Sequence, residues 1–385
     1  MESFIRDISV VVVCAAGLSW LALLTRQPII IAYLLCGVIA GPWGLGLVQD
    51  VHFVDSLSRI GVTLLLFLAG IELRPKLLIE LFRRTAVVTL CTCAAFCLLG
   101  SVFAFLWGFS SRDSLYIGLA LMFSSTILVV KLLPTTALHQ KHMGAFCISV
   151  LILQDLIAVG VLWYLRAAEF QTLPGIALLP LKGFFLIAFA LIFERYVLRG
   201  LMISSERFHE TLFLLCLGWC LGAALLSKFL GFSHEVGAFI AGVALARSPL
   251  ALFLSEGLKN FRDFFLVLFF FVLGAKLDLL VAKEVLLPAV ILGIVLVIIK
   301  PPIFNLVFRL VGEKRKFSRE ASVRLGQASE FSLIIAVLAL ETGTIGMMSS
   351  QFIQVTSIIT MILSCYRVVF FYPTPLGFRK SLKQD

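Results

Sequence analysis

Residues 66–73 read Leu-Phe-Leu-Ala-Gly-Ile-Glu-Leu, and residues 270–277 read Phe-Phe-Val-Leu-Gly-Ala-Lys-Leu. A second pair stands in the same order: Ile39-Ala40-Gly41 answers to Ile240-Ala241-Gly242. The offsets are 204 (270 − 66) and 201 (240 − 39) residues. Short apolar runs with a glycine match easily by chance, so one pair alone carries little. Two pairs at nearly one offset read as an internal repeat spanning most of the chain.

The composition says what is being repeated. Of 385 residues, 61% are hydrophobic and only 14% charged, with a mean hydropathy of +1.07. Soluble domains run near half apolar and a quarter charged. A water-soluble fold of this size would expose too much apolar surface, which leaves an all-α polytopic membrane protein. The net charge of +10 does not point to nucleic acid, because the basic residues sit in short loops between apolar runs. The nine cysteines lie inside apolar segments without histidine pairing and read as small buried hydrophobes. The first apolar run lacks a small-residue cleavage site and reads as a retained helix.

A membrane-crossing helix needs about 20 mostly apolar residues. Thirteen segments qualify: 7–25, 29–47, 57–73, 86–108, 114–133, 144–165, 175–193, 211–230, 234–247, 261–280, 285–309, 320–342 and 351–372. Each match pairs one helix with the helix seven further on. Seven is odd, so the paired helices run in opposite directions. The expectation is an inverted-topology repeat, about 7–165 and 211–372, joined by a linker helix at 175–193, as in secondary transporters. If the chain alternates sides from the N-terminus, one side holds Arg6, Arg59, Arg112, Arg166, Lys228, Lys276 and Lys283. The other holds roughly three times as many basic residues, among them Arg309, Lys314, Arg315, Lys316, Arg319 and Arg379-Lys380. The positive-inside rule then sets the N-terminus outside and the C-terminus in the cytoplasm, in a multi-pass protein of the cell (inner) membrane.

Two repeat-related helices carry polar runs at mid-membrane. Ser124-Ser125-Thr126 interrupts 114–133, and Gly326-Gln327-Ala328-Ser329-Glu330 interrupts 320–342. Such side chains compete for backbone groups and weaken a helix. A broken helix is tolerated in a membrane where it lines a cavity, and its freed ends can hold a cation. The plain alternative is a helix contact made of small residues; two runs at symmetry-related positions favour a site. Three ionisable residues fall near segment centres: Asp155, Lys300 and Glu330. A charge there costs about 2.5–3.5 kcal/mol on insertion scales. Asp155 has Gln154 beside it and apolar residues on every other side. Burial favours its protonated form, and a monovalent cation would compete with that proton for the same oxygens. Lys300, ahead of Pro301-Pro302, is the expected charge partner of Asp155, with snorkelling towards the Arg309 end as the alternative. Glu330 reads as a support for the second broken helix, together with Gln327 and Ser329.

At this point the chain resembles a known family. Gly41-Pro42-Trp43-Gly44-Leu45, the run Ile60 to Phe67 with Gly70-Ile71-Glu72-Leu73, Ser124-Ser125-Thr126, Gln154-Asp155, Gly237 to Gly242 and Gln327 to Phe331 come in the order seen in the second branch of the monovalent cation:proton antiporter superfamily. The Gln-Asp pair is most similar to the Kef-type potassium/proton group. The resemblance implies a sodium/proton antiporter-like fold with two crossed discontinuous helices in a homodimer. It implies core transport helices at about 86–165 and 285–372 and dimerisation helices at about 7–47 and 211–247. By the same resemblance Asp155 is the cation and proton site with Gln154 beside it, and Ser124, Ser125 and Thr126 form the first crossing segment. The implied activity is exchange of K⁺ for H⁺ by an elevator-like alternating access. A single acid implies an electroneutral 1:1 exchange.

The chain departs from the family pattern in three places. Arg59 stands where an acid is common. The loop after Arg247-Ser248-Pro249 lacks an acidic stretch. No soluble nucleotide-binding domain is read in 1–385, which is taken as a single transmembrane unit with the bilayer and a candidate cytoplasmic regulatory subunit as partners. No cofactor and no metal beyond the transported ion is expected. Three alternatives stay open: a sodium/proton exchanger of the same fold, a non-transporting membrane sensor, and a membrane enzyme. The last would need metal-holding clusters, and His139 and His142 have no acid to join them.

Overall fold

In hydrocarbon a chain must satisfy its backbone hydrogen bonds within each crossing segment, so apolar runs of this length fold as helices. The computed structural model describes residues 2–25, 27, 29–48, 51–72, 75–132, 142–167, 173–205, 208–232, 234–246, 248, 251–277 and 279–374. Readings placed on His139, Arg247, Pro249 and Arg379-Lys380 lie outside them. In chain order the helices are α1 (Glu2–Leu24), α2 (Ile29–Ala40), α3 (Val51–Glu72), α4 (Pro75–Leu106), α5 (Ser111–Leu121), α6 (Thr126–Leu132), α7 (His142–Ala167) and α8 (Leu173–Phe193). A π-helical turn, Glu194–Leu198, leads into α9 (Arg199–Ser204). Then follow α10 (His209–Phe229), α11 (His234–Leu245), α12 (Ala251–Ala275), α13 (Leu279–Leu310), α14 (Arg315–Arg324), α15 (Glu330–Glu341) and α16 (Met347–Phe371). Among the described residues six helical stretches are long and apolar enough to span a membrane: Ile5–Leu24, Arg83–Leu106, Phe146–Leu165, His209–Phe229, Val281–Leu310 and Met347–Phe371.

The helices sort into two units. The first comprises residues 1–21, 32–76 and 159–276. Its packing rests on glycines. Gly70 of α3 lies against the backbone of Phe239, Gly242 and Val243 on α11, and Gly242 in turn lies against Phe67 and Gly70. Gly274 of α12 meets Leu34 and Gly37 on α2, and Gly37 meets Phe271 and Ala275 on α12. At each point a methyl group would collide with backbone, so only glycine permits the approach. Around the α3–α11 contact sits a buried apolar cluster containing Leu64, Phe67, Trp219, Cys220, Ala238 and Ala241. Trp219 of α10 is a core residue. It is 7% exposed, stacks on Phe193 at 5.1 Å and donates from its indole N–H to the Ala241 carbonyl at 3.1 Å. Arg59 is tied to Asp55 at 3.3 Å, and Lys276 reaches the same carboxylate at 2.9 Å.

The second unit comprises residues 22–31, 77–158 and 277–385. Here α16 packs along α13 and α15 and also touches α5, α6 and α14. Two of its helical runs are interrupted. Between α5 and α6 the chain is non-helical over Phe123, Ser124 and Ser125, and between α14 and α15 it is non-helical from Leu325 to Ser329. Arg324, 2% exposed, fastens this unit at one end. Its guanidinium donates to the Leu132 carbonyl at 2.8 Å, the Pro373 carbonyl at 2.7 Å and Glu320 at 2.9 Å. Its guanidinium lies 6.0 Å from the centre of the Tyr372 ring, and elsewhere in the unit Phe146, Phe308 and Phe317 meet edge to face.

The glycine contacts make a direct prediction. Gly242→Val and Gly274→Val should each cost about 1–3 kcal/mol or more by overpacking. Gly218→Val, where nothing stands within 4 Å of the added carbon, should cost less than 1 kcal/mol on the scale of helix propensity. Thermal unfolding of the three variants in detergent, followed by intrinsic tryptophan fluorescence, separates these outcomes.

Candidate functional site

The two interruptions meet. Each is fixed locally by a serine whose side chain caps the helix that follows. Ser125 Oγ accepts from the Leu128 amide at 3.1 Å at the start of α6. Ser329 Oγ accepts from the Phe331 amide at 3.1 Å, while Ser332 Oγ accepts from the Ser329 amide at 3.3 Å at the start of α15. Hydrogen bonds then tie one interruption to the other. Ser124 Oγ donates to the Leu325 carbonyl at 2.8 Å, and Gln327 Nε2 donates to the Ser125 carbonyl at 3.4 Å. The partners are 201 and 202 residues apart, close to the offset that relates the glycine motifs.

Three further elements hold the crossing in place. From α7, Gln154 Oε1 accepts the Ser124 amide at 3.0 Å. From α16, Thr360 Oγ1 accepts the Ala328 amide at 3.0 Å and Ser364 donates to Gln327 Oε1 at 3.1 Å. From α13 comes Lys300, 0% exposed. Its ammonium donates to the Phe123 carbonyl at 3.0 Å and the Gln327 carbonyl at 3.2 Å, and lies 5.0 Å from the centre of the Phe96 ring.

The charges are sorted by helix polarity. Phe123 and Gln327 follow the carboxyl ends of α5 and α14, where carbonyls lose their helical partners and the helix dipole is negative. A lysine fits there. Asp155, 3% exposed, stands instead by the amino-terminal residue of α6, where Thr126 Oγ1 donates to its two oxygens at 3.2 and 3.4 Å. Glu330, the first residue of α15, lies within electrostatic reach of Asp155.

The structure therefore brings together Ser124, Ser125, Thr126, Gln154, Asp155, Lys300, Gln327, Ser329 and Glu330 in one buried cluster of the second unit. One expectation needs correction. Lys300 was expected to pair with Asp155, and among the described residues it makes no ion pair with it. Two carbonyls freed by the broken helices compete for the ammonium and are better placed at the negative helix ends. Snorkelling is also not adopted, since the ammonium stays inside. Sequence reading missed Thr360 and Ser364. Their signal was present as hydroxyls recurring at helical spacing on an apolar helix, but only the fold shows that they face the crossing. Phe123 was unreadable, because it contributes a backbone carbonyl.

Comparison with known proteins follows from this geometry. The model of the family described as "Sodium/hydrogen exchanger, transmembrane" matches residues 8–371. The glutathione-regulated potassium-efflux system protein KefC of Escherichia coli is 30% identical over 315 residues, 80% of this chain and 50% of that protein, in two strains. The chain thus spans about half the length of these curated relatives. The sodium proton antiporter MjNhaP1 from Methanocaldococcus jannaschii, in its structure at pH 8, superposes with a TM-score of 0.74 over 100% of this chain and 98% of that one, at 16% identity. That likeness is one of fold.

The bonds of Lys300 set a test of this arrangement. Lys300→Met leaves two buried carbonyls without a donor, at about 1–3 kcal/mol each. Lys283→Met, at an exposed position of the same helix, should leave stability within about 0.5 kcal/mol. Denaturation midpoints of the two variants read the difference.

Proposed function

We propose that this chain, which belongs to the transmembrane sodium/hydrogen exchanger family, exchanges a monovalent cation for H⁺, with K⁺ as the first candidate. One observation carries the reading: the buried carboxylate Asp155, with Thr126 at the start of one broken helix and a second buried acid, Glu330, at the start of the other, has no lysine partner among the described residues, while the buried cation Lys300 is committed to their carboxyl ends. The acid is left to hold either a proton or a cation. A bound proton removes the charge that attracts the cation, and a bound cation displaces the proton. Coupling then requires only that the empty, charged site not cross the membrane, which the cost of moving a bare carboxylate through hydrocarbon enforces.

In this reading Gln154, Ser124, Ser125 and Thr126 shape the cation site, and Gln327, Ser329 and Glu330 hold the second broken helix against it. One proton for one cation gives an electroneutral 1:1 exchange. The first unit anchors the molecule as a homodimer in the cell membrane, N-terminus outside and C-terminus in the cytoplasm. The second unit carries the site past it by an elevator-like alternating access. Thirteen crossings follow if α5 with α6 and α14 with α15 each count as one broken crossing, with α8 and its continuation through the π turn as another.

An inverted repeat is supported by the way the glycine contacts come in a matched pair. Gly70 meets Gly242, and Gly274, the counterpart of Gly70, meets Gly37 near Gly41, the counterpart of Gly242. Potassium is favoured by the relative named for potassium efflux, 30% identical. Sodium is the second reading, from the description of the family.

Reconstitution in liposomes with an internal pH dye tests the proposal. An outward K⁺ gradient should drive H⁺ inward at a rate that falls to the lipid leak in Asp155→Asn. The apparent KM for K⁺ should rise as pH falls, because protons occupy the same oxygens. A response to Na⁺ with none to K⁺ would transfer the assignment to sodium. Equal rates in wild type and Asp155→Asn would end it.

A further inference from the structure

The helix α16 is polar along its buried side. Ser349, Ser350, Gln354, Ser357, Thr360 and Ser364 are all buried. Positions 350, 354, 357 and 364 recur at helical spacing and share one face. Much of this face has an ordinary explanation, since hydroxyls commonly bond between membrane helices or back to their own turn. Ser350 donates to the Ala336 carbonyl of α15 at 3.0 Å, Gln354 Nε2 donates to Ser350 Oγ at 3.2 Å, and Thr360 donates to the Ser357 carbonyl at 2.8 Å.

Three atoms are not explained in this way. Gln351 Oε1, Thr356 Oγ1 and Ser357 Oγ are buried without a hydrogen-bond partner among the described residues. Gln351 is 1% exposed, and Thr356 and Ser357 are 0% exposed. Native structures satisfy such atoms with ordered water, which needs polar partners on several sides. Ser357 lies on the face shared by positions 350, 354 and 364, and Gln351 and Thr356 flank that face on either side.

This face has two ends. Ser349 Oγ donates to Asp113 Oδ2 at 2.8 Å, in the first turn of α5. At the other end Thr360 and Ser364 reach Ala328 and Gln327 in the crossing. Ser349 to Ser364 covers 15 residues (364 − 349), about 22 Å of helix, set against a hydrocarbon core of about 30 Å.

We propose that the buried face of α16 lines a file of water that conducts protons between the Asp113 end of the second unit and the helix crossing. Each water takes a proton from one neighbour and passes another on, so no group is consumed. Ser357, flanked by Gln351, supplies the middle of the file, and the Ser364 hydroxyl, which donates to Gln327 Oε1, brings its end to the crossing, where the carboxylate of Asp155 takes up the proton. The proton role rests on the exchange reading above.

Radiolytic hydroxyl-radical labelling of the full chain in lipid nanodiscs tests the file without any transport. Met361 follows Ser357 by one turn on this face and is 3% exposed; Met202, 0% exposed in an apolar cluster, is the dry reference. Met361 should be oxidised several-fold faster than Met202. In Gln351→Leu/Ser357→Val the labelling of Met361 should fall to that of Met202. Proton flux in liposomes should then slow by about tenfold, the rate cost of one lost hydrogen bond in the barrier, with the KM for K⁺ unchanged. Met361 as protected as Met202 in the wild type, alongside intact exchange, overturns the file alone. Absence of exchange in the wild type overturns the functional reading and the proton role with it.

Discussion

Two helical runs break inside the second unit, and much of its hydrogen bonding answers to that fact. A helix end in hydrocarbon exposes backbone groups that nothing in lipid can satisfy. The chain meets the demand by crossing the two breaks, so that each supplies partners for the other through Ser124, Leu325, Ser125 and Gln327. What the breaks cannot give each other comes from Lys300, whose ammonium holds one carbonyl from each. The cost of burying that charge is offset by two hydrogen bonds, the negative ends of two helix dipoles and the face of Phe96. Once Lys300 is committed there, it is no longer available to neutralise Asp155. The acid is left with the hydroxyl of Thr126 and the nearby Glu330.

The first unit solves a different problem. It has no broken run of this kind among its described residues, and its helices approach through glycine to within backbone contact. Close packing over Gly37, Gly70, Gly242 and Gly274 makes α2, α3, α11 and α12 a stiff assembly, since interiors packed to this density yield little.

Much of this was legible in the chain before any coordinates. Asp155, Lys300 and Glu330 announce themselves because a charge among apolar residues is expensive and is kept only for a reason. Ser124 to Thr126 and Gly326 to Glu330 were readable as breaks because their side chains compete with a helix for backbone groups. What stayed hidden depended on distance through the fold. Lys300 was expected to seek the nearest opposite charge, and only the crossing shows two carbonyls outcompeting it. Arg324 closely follows the basic run Lys314 to Arg319 in the chain, yet it is buried and ties Leu132, Glu320 and Pro373 together. The polar face of α16 is written in the sequence at regular spacing, but what it faces is not.

The central claim is that one carboxylate holds two ligands in turn. Purified protein in weakly buffered detergent, mixed with K⁺ under a pH indicator, tests it without membranes or gradients. Binding should release about one proton per chain near the pH at which the site is half protonated, and Asp155→Asn should release none. A wild type that binds K⁺ with no proton release, or a variant that releases as many protons as the wild type, would contradict the account.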